Sequence, residues 1–281
     1  MNYLVLGGDA RSAYLYDLLL NDGYSVEQAG CSRSVLSEDV KTICAAAKAA
    51  DIIIGPIPFS KGHILNMPYF KETITLADLF SAMRPGQILT GGRFNSDALR
   101  LAEKNGITAI DLLDREEMAV LNAIPTAEGA LQIAMESSVK TIHSSNVLVA
   151  GFGRIGKILS KFLYGLGANV YASARKYEDL SQIRAYGYHA VSYPNLNEIL
   201  PNIDIIFNTV PFAVFEESSI LCMKKGVIAI DLASKPFGFD DQACSKAGVK
   251  LIFAPSLPGK AAPYTAASYI KETIENLKLE E

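Results

Sequence analysis

The residues best spaced to do chemistry are three glycines. Gly151-Phe152-Gly153-Arg154-Ile155-Gly156 follows the apolar run Val147-Leu148-Val149-Ala150. It precedes a stretch in which Ile158, Leu159, Phe162, Leu163 and Leu166 recur at helical spacing. Strand, glycine turn and helix is the context in which Gly-x-Gly-x-x-Gly binds a pyrophosphate. Gly151 permits the tight turn, Gly153 lets backbone approach the anion, and Gly156 lets the helix lie close on its strand. Arg154 and Ile155 complete the turn, and the free N–H groups of the helix N-terminus face the negative charge.

A second group decides which dinucleotide such a turn would hold. A site for NAD carries Asp or Glu about 20 residues past the first glycine, where it accepts from the ribose hydroxyls. This chain reads Ala172-Ser173-Ala174-Arg175-Lys176 instead. A carboxylate would repel a 2′-phosphate, whereas Ser173 can donate to one and Arg175 and Lys176 can pair with it. NADP is therefore the expected cofactor and NAD the less favoured one. Ligands of open α/β sheets gather beyond the carboxyl ends of the strands, so Asn208-Thr209-Val210-Pro211 and Asp231, Ala233 and Ser234 are expected on the same side. Asp231 reads equally well as a helix cap or as a group near the nicotinamide.

The remaining candidates are sparse. Arg11 follows Gly7-Gly8, Ser60 follows Gly55-Pro56-Ile57-Pro58, and Arg93 follows Gly91-Gly92. Each stands where a strand ends, and Arg can grip a carboxylate with two parallel hydrogen bonds. Thr126 and Glu128 stand at the head of an expected helix, and Lys260 lies in the loop 256–263. Arg11, Thr126, Glu128 and Lys260 are the candidate catalytic residues. Thr126 and Glu128 also fit a plain helix start. There is no Ser/His/Asp set and no metal-ligand spacing, so no metal is expected, and no residue stands out as a general base. His63 and His189 read as loop residues.

The elements that must position these residues alternate. Residues 3–6, 24–28, 51–54, 87–90 and 107–110 read as strands, with helices at 12–20, 39–50, 76–83 and 96–104. Strands alternating with helices imply a parallel sheet covered on both faces. Two helices, 114–123 and 126–142, then follow without a strand between them and mark a boundary near residues 143–146. Beyond it come strands at 147–150, 169–172, 203–208, 227–231 and 250–254, and a last helix at 264–278. Pro263 suits the first turn of that helix. Its apolar stripe Ala266, Ala267, Ile270, Ile274 and Leu277 must pack on something, and the expected partner is the first domain. The fold class is α/β with two doubly wound parallel-sheet domains, the second a Rossmann dinucleotide-binding domain. The expected domains are 1–143 plus 264–281 for substrate and 144–263 for NADP, closing over a cleft about hinges near 143–146 and 260–263.

With 281 residues, the chain has room for two ordinary domains. A hydrophobic share of 49% with 20% charged residues is that of a globular protein, and a net charge of −4 with no basic run argues against nucleic acid as a partner. Its four cysteines have no paired spacing, which fits a reducing compartment. The N-terminus starts a strand directly, without the basic region of a signal peptide, and no apolar run is long enough for a membrane span.

The chain resembles the A subunit of dipicolinate synthase over nearly its whole length. The resemblance rests on Gly7-Gly8-Asp9-Ala10-Arg11, Asn122-Ala123-Ile124-Pro125-Thr126-Ala127-Glu128-Gly129, Gly151-Phe152-Gly153-Arg154 and Ala174-Arg175. It continues through Asn208-Thr209-Val210-Pro211, Ile230-Asp231-Leu232-Ala233-Ser234 and Leu257-Pro258-Gly259-Lys260. One loop departs from the family pattern, with Pro236-Phe237-Gly238-Phe239 where Pro-Gly-Gly is expected. The resemblance implies a cytoplasmic protein of the mother cell in sporulating bacteria, and a homo-oligomer is expected. It implies the NADP-dependent oxidation of dihydrodipicolinate, a small dicarboxylate, to dipicolinate together with the flavoprotein-like B subunit of dipicolinate synthase. Two other readings share the architecture: a dehydrogenase of another small amino or hydroxy acid, and a non-catalytic NADP-binding sensor or scaffold. The first of these would carry a Lys/His pair on early strands of the first domain, which this chain lacks.

Overall fold

A computed structural model describes residues 1–32 and 39–279. The chain forms two units, Met1–Asn122 with Ala262–Glu281 and Ala123–Ala261.

The first unit opens with β1 (Asn2–Leu6), α1 (Ala10–Asn21), β2 (Ser25–Ala29), α2 (Val40–Ala49) and β3 (Ile52–Ile54). A small antiparallel ribbon, β4 (Ser60–Lys61) with β5 (Ile64–Leu65), precedes α3 (Leu76–Ala82), β6 (Ile88–Gly91), α4 (Ser96–Lys104) and β7 (Thr108–Asp111). The larger sheet is parallel in the order β2-β1-β3-β6-β7. Alternation along β1 sends Leu4 and Leu6 to the face covered by α2, α3 and α4, and Tyr3 and Val5 to the face covered by α1. The same face receives the final helix, α12 (Pro263–Leu279), whose Ala267, Ile270 and Ile274 pack with Leu15 and Leu19 of α1. Caps fix the helix starts: Asp9 accepts from the Arg11 amide, Asn95 accepts from the Ala98 amide, and Thr75 with Asp78 forms a capping box.

The second unit is a six-stranded parallel sheet in the order β10-β9-β8-β11-β12-β13. Its strands are β8 (Asn146–Ala150), β9 (Asn169–Ala174), β10 (His189–Ser192), β11 (Ile205–Asn208), β12 (Ile228–Asp231) and β13 (Lys250–Phe253). This is the Rossmann arrangement, two doubly wound halves meeting between β8 and β11. Val147, Val149, Ile205, Phe207 and Ile230 pack under α6 (Arg154–Gly165). The opposite face packs under α8 (Leu196–Ile199), α9 (Glu217–Leu221) and α10 (Asp241–Ala247), through Leu196, Ile220, Ala243 and Cys244. The remaining helices are α7 (Tyr177–Ala185) and α11 (Pro258–Ala261).

Three sequence expectations change. Residues 114–123 and 126–142 do not form two helices; α5 (Glu116–Ser137) runs unbroken with Pro125 inside it. Proline lacks an N–H, so the Leu121 carbonyl loses its helical donor, yet the flanking Ala123, Ala127 and Ala130 are buried and packing holds the helix together. The division falls at Asn122/Ala123 rather than near residue 143, because Ala127, Ala130, Leu131 and Ala134 belong to the core of the second unit. His189 is not in a loop: it opens edge strand β10 and stacks on Tyr171, with ring centroids 4.7 Å apart.

Candidate active site

The glycine turn sits where β8 ends, at the switch point of the second sheet. Gly151 has a φ of 97°, a left-handed conformation that disfavours a side chain, and a Cβ there would lie 2.4 Å from the Thr209 hydroxyl. At Gly156 a Cβ would fall 2.1 Å from the Gly151 carbonyl oxygen, so only glycine lets α6 start this close to its own turn. Gly153 has open space where its Cβ would be, and it caps α6 with no side-chain hydrogen bond. A glycine N-cap brings no side chain between the helix start and a ligand, and the first-turn N–H groups of a helix suit a pyrophosphate. Phe152 points inward to Ala172, Ala174 and Leu180, so its contribution is to anchor the turn; Arg154 is exposed and Ile155 half-buried. Lys157, which the motif does not mark, places its ammonium 5.6 Å from the Phe152 ring centre.

Beyond β9 the structure separates three residues that the sequence placed together. Strand β9 ends at Ala174, whose methyl offers ribose no acceptor. Arg175 and Lys176 are exposed, and Lys176 pairs with Glu178 at 3.1 Å. That hydrogen bond holds the Lys176 ammonium above its ordinary pKa. Ser173 is corrected: its side chain is fully buried, on the sheet face beside Tyr193, and does not reach the loop that carries the two cations. Period-two alternation sends it inward. Burial raises the Tyr193 phenol, against the pull of Ser173 and of the Arg175 charge, which places Tyr193 near Arg175.

Asn208 and Asp231 are also corrected. Both are fully buried and satisfied within the protein. Asn208 Nδ2 donates to Asp231 Oδ1 at 2.9 Å and to the Val210 carbonyl at 2.9 Å, while its Oδ1 accepts from the Val210 amide at 3.1 Å. Asp231 also accepts from the amides of Ala233, at 3.0 Å, and Gly238, at 2.7 Å. The two side chains shape the loops after β11 and β12 rather than offering groups to a ligand. Thr209 Oγ1 donates to the Ala150 carbonyl at 2.9 Å, underneath the glycine turn. Pro211 and Ser234 are exposed, Val210 is half-buried and Ala233 is buried. The departing loop closes through stacked Phe215 and Phe239, with ring centroids 4.4 Å apart. Gly238 is needed there, since a Cβ would meet Asn208 Nδ2 at 2.2 Å.

Of the catalytic candidates, three lie in the second unit. Thr126 and Glu128 occupy the middle of α5, not the head of a helix; Thr126 is buried and Glu128 exposed. A Cβ on Gly129 would lie 2.9 Å from that of Ala261, so this turn of α5 meets α11, which carries exposed Lys260. Arg11 belongs to the first unit and is not free to grip a ligand with its fork, as the sequence suggested. Its Nε and Nη2 donate to the two carboxylate oxygens of Asp9 at 2.8 and 2.9 Å, and Nη2 donates to the Ile57 carbonyl at 2.7 Å. The pair ties the ends of β1 and β3, the switch point of that sheet. Arg93 is exposed with a φ of 56°, and the Ser60 hydroxyl accepts from Asn95 at 3.1 Å. Among the described residues no group of three or more His, Cys, Asp or Glu is placed to hold a metal, and no helix is long and apolar enough to cross a membrane.

Residues 2–113 match the family model for the N-terminal domain of the dipicolinate synthase A subunit. Residues 126–235 match that for the NAD-binding domain of D-isomer-specific 2-hydroxyacid dehydrogenases. The A subunit of dipicolinate synthase from Bacillus subtilis is 31% identical over 232 residues, 82% of this chain and 78% of that protein. The chain belongs to the dipicolinate synthase A-subunit family. Two crystal structures of the family agree in fold. The Bacillus subtilis protein superposes with a TM-score of 0.88 at 28% identity, over 100% of this chain and 96% of that one. The Bacillus halodurans protein gives 0.86 at 26%, over 98% and 97%. As a member of the dipicolinate synthase A-subunit family with this nucleotide domain, the chain is an NAD(P)-dependent oxidoreductase.

Proposed function

We propose that the chain oxidises dihydrodipicolinate to dipicolinate with NADP as the hydride acceptor, acting with a second, flavoprotein-like polypeptide in the cytoplasm of a sporulating mother cell. The observation that carries the reading is the glycine turn at the switch point, where Gly151 is left-handed and Gly156 has no room for a Cβ, together with a β9 end that offers Ala174, Arg175 and Lys176 in place of a carboxylate. Backbone of the Gly151–Gly156 turn and the start of α6 would hold the pyrophosphate, and Arg175 and Lys176 would pair with the 2′-phosphate. Asn208 and Asp231 keep the loops at 209–211 and 232–238 in place beside it.

Dihydrodipicolinate becomes aromatic by losing a hydride and a proton. The nicotinamide ring supplies the hydride acceptor when bound. The chain must hold two substrate carboxylates and accept the proton. Lys260 and the Thr126 hydroxyl are the groups of the second unit assigned to a carboxylate, and exposed Glu128 is assigned the proton. In the first unit, Arg11 retains its Nη1 donors for an anion once Asp9 has taken the other edge of the fork.

The test is turnover of dihydrodipicolinate, followed by the ultraviolet absorbance of the aromatic product, with NADP or NAD and with or without the B subunit of dipicolinate synthase. Product formation that prefers NADP is the expected result. Absence of product with either dinucleotide when both polypeptides are present would overturn the reading.

A further inference from the structure

One recess of the second unit lies at the opposite end of its sheet from the glycine turn, and the proposed reaction makes no use of it. It has a volume of about 240 Å³ and is bounded by the end of α5 and by the entries to β8, β11, β12 and β13. Four lysines line it, Lys140, Lys224, Lys225 and Lys250, against the Asp204 carboxylate alone. This is a local excess of positive charge in a chain whose net charge is −4.

The pairing inside the recess shows where that excess sits. Asp204 Oδ1 accepts from Lys224 at 2.7 Å and from Lys140 at 3.3 Å, and Oδ2 accepts from the Asn146 amide at 3.1 Å. These partners outweigh the desolvation of Asp204 and hold its carboxyl below the ordinary range, so the aspartate is fully committed. Lys250 donates to the Ser137 carbonyl at 3.0 Å, a neutral partner, and Lys225 makes no hydrogen bond or ion pair among the described residues. Two ammonium groups on the wall of the recess are thus left without counter-charge. Ammonium groups act as point charges that suit phosphate and carboxylate oxygens from several directions.

We propose that this recess binds a small multivalent anion, bearing phosphate or carboxylate groups, at a site separate from the dinucleotide. Lys225 and Lys250 supply the free charge. Lys224 and Lys140, held by Asp204, form the fixed side of the site. The volume admits an anion of a few heavy groups and excludes a dinucleotide. The competing role for these lysines is only to balance the negative carbonyl end of α5, and it predicts no saturable ligand.

The experiment is a thermal-shift titration of the whole chain with inorganic pyrophosphate and, separately, with citrate. Ionic strength is kept constant with potassium chloride, and NADPH and NADH are both in excess to keep the glycine turn filled. The same titrations are run on the Lys225→Gln/Lys250→Gln double variant, which leaves both Asp204 pairs intact. A saturable rise with either anion, weakened about tenfold or more in the double variant, is the expected result. Pyrophosphate alone would identify a phosphate ligand and citrate alone a carboxylate ligand, and either supports the site. A response no larger than that to chloride, or a saturable one retained in the double variant, would overturn the proposal. Unchanged dinucleotide affinity in the double variant shows that it folds.

Discussion

Asn208 and Asp231 stand directly opposite each other in the β11–β12 ladder, and their side chains meet above it at 2.9 Å. The register of two parallel strands thereby sets the shape of both loops beyond them. Asp231→Ala leaves Asn208 Nδ2 and the Ala233 and Gly238 amides each short of an acceptor in a buried place. The expected cost is about 3 kcal/mol, with each stranded donor contributing on the order of 1 kcal/mol or more. Urea unfolding of the second unit reads it directly; a wild-type midpoint for this variant would contradict the role assigned to Asp231.

The proposed preference for NADP makes a prediction at Arg175. Arg175→Ala should weaken NADP(H) binding by about 1.5–3 kcal/mol, the range for a hydrogen bond to a charged group, and leave NAD(H) unchanged. Ser173→Ala should leave both affinities unchanged, because its side chain is fully buried on the sheet face next to Tyr193. Fluorescence titration of the reduced dinucleotides separates these outcomes, and equal losses for the two cofactors in Arg175→Ala would sink the assignment.

Arg11→Met removes the fork that ties Asp9 to the Ile57 carbonyl. The first unit should lose about 2 kcal/mol, one set of hydrogen bonds to a charged group, while NADP affinity stays as it was. If Arg11 also holds substrate, turnover falls in Arg11→Met, and Arg11→Lys does not restore it because an ammonium cannot span both Asp9 oxygens. Full turnover with an unchanged KM would remove Arg11 from the substrate site.

Burial, and then the nearby carboxylates of Asp241, Asp240 and Asp231, push the Cys244 thiol from its ordinary value of 9.0 up to about 11. The sign follows from linkage. Below pH 9 the thiol is neutral folded and unfolded, and its burial carries no penalty. As pH rises from 9 to about 11 the unfolded thiol ionises first, and stability is lost across that window. Cys244→Ala should flatten this part of the stability–pH curve. In thiol labelling of the native chain at mildly alkaline pH, exposed Cys222 should react first and buried Cys31 and Cys244 last. Prompt labelling of Cys244 would contradict its burial.

The glycine turn was legible because each of its three glycines answers a local steric demand, and local demands are written in adjacent residues. The alternation of apolar runs made both parallel sheets legible for the same reason. Asn208 and Asp231 misled because their mutual bond depends on strand register, which joins residues 23 apart. Ser173 misled because the side-chain period of β9 turns it inward, one residue away from where it would have served. Pro125 misled in the other direction. A proline reads as a break, but the buried small residues around it, with Gly129 against Ala261, keep α5 whole. Nothing in the local sequence signals the Asp9–Arg11 fork beyond the short spacing that lets a cap residue reach the second position of its own helix.

The packing of α12 on α1 also has a bearing on how the chain is made. Leu15 and Leu19 belong to α1, whereas Ile270 and Ile274, which cover them, are translated only after the whole of the second unit. At about 5–20 residues per second, α1 waits tens of seconds or less for the α12 side chains that pack with it. Residues 123–261 are contiguous and can close their own core in that interval. The nucleotide-binding unit can therefore complete its core before α12 completes that of the first unit.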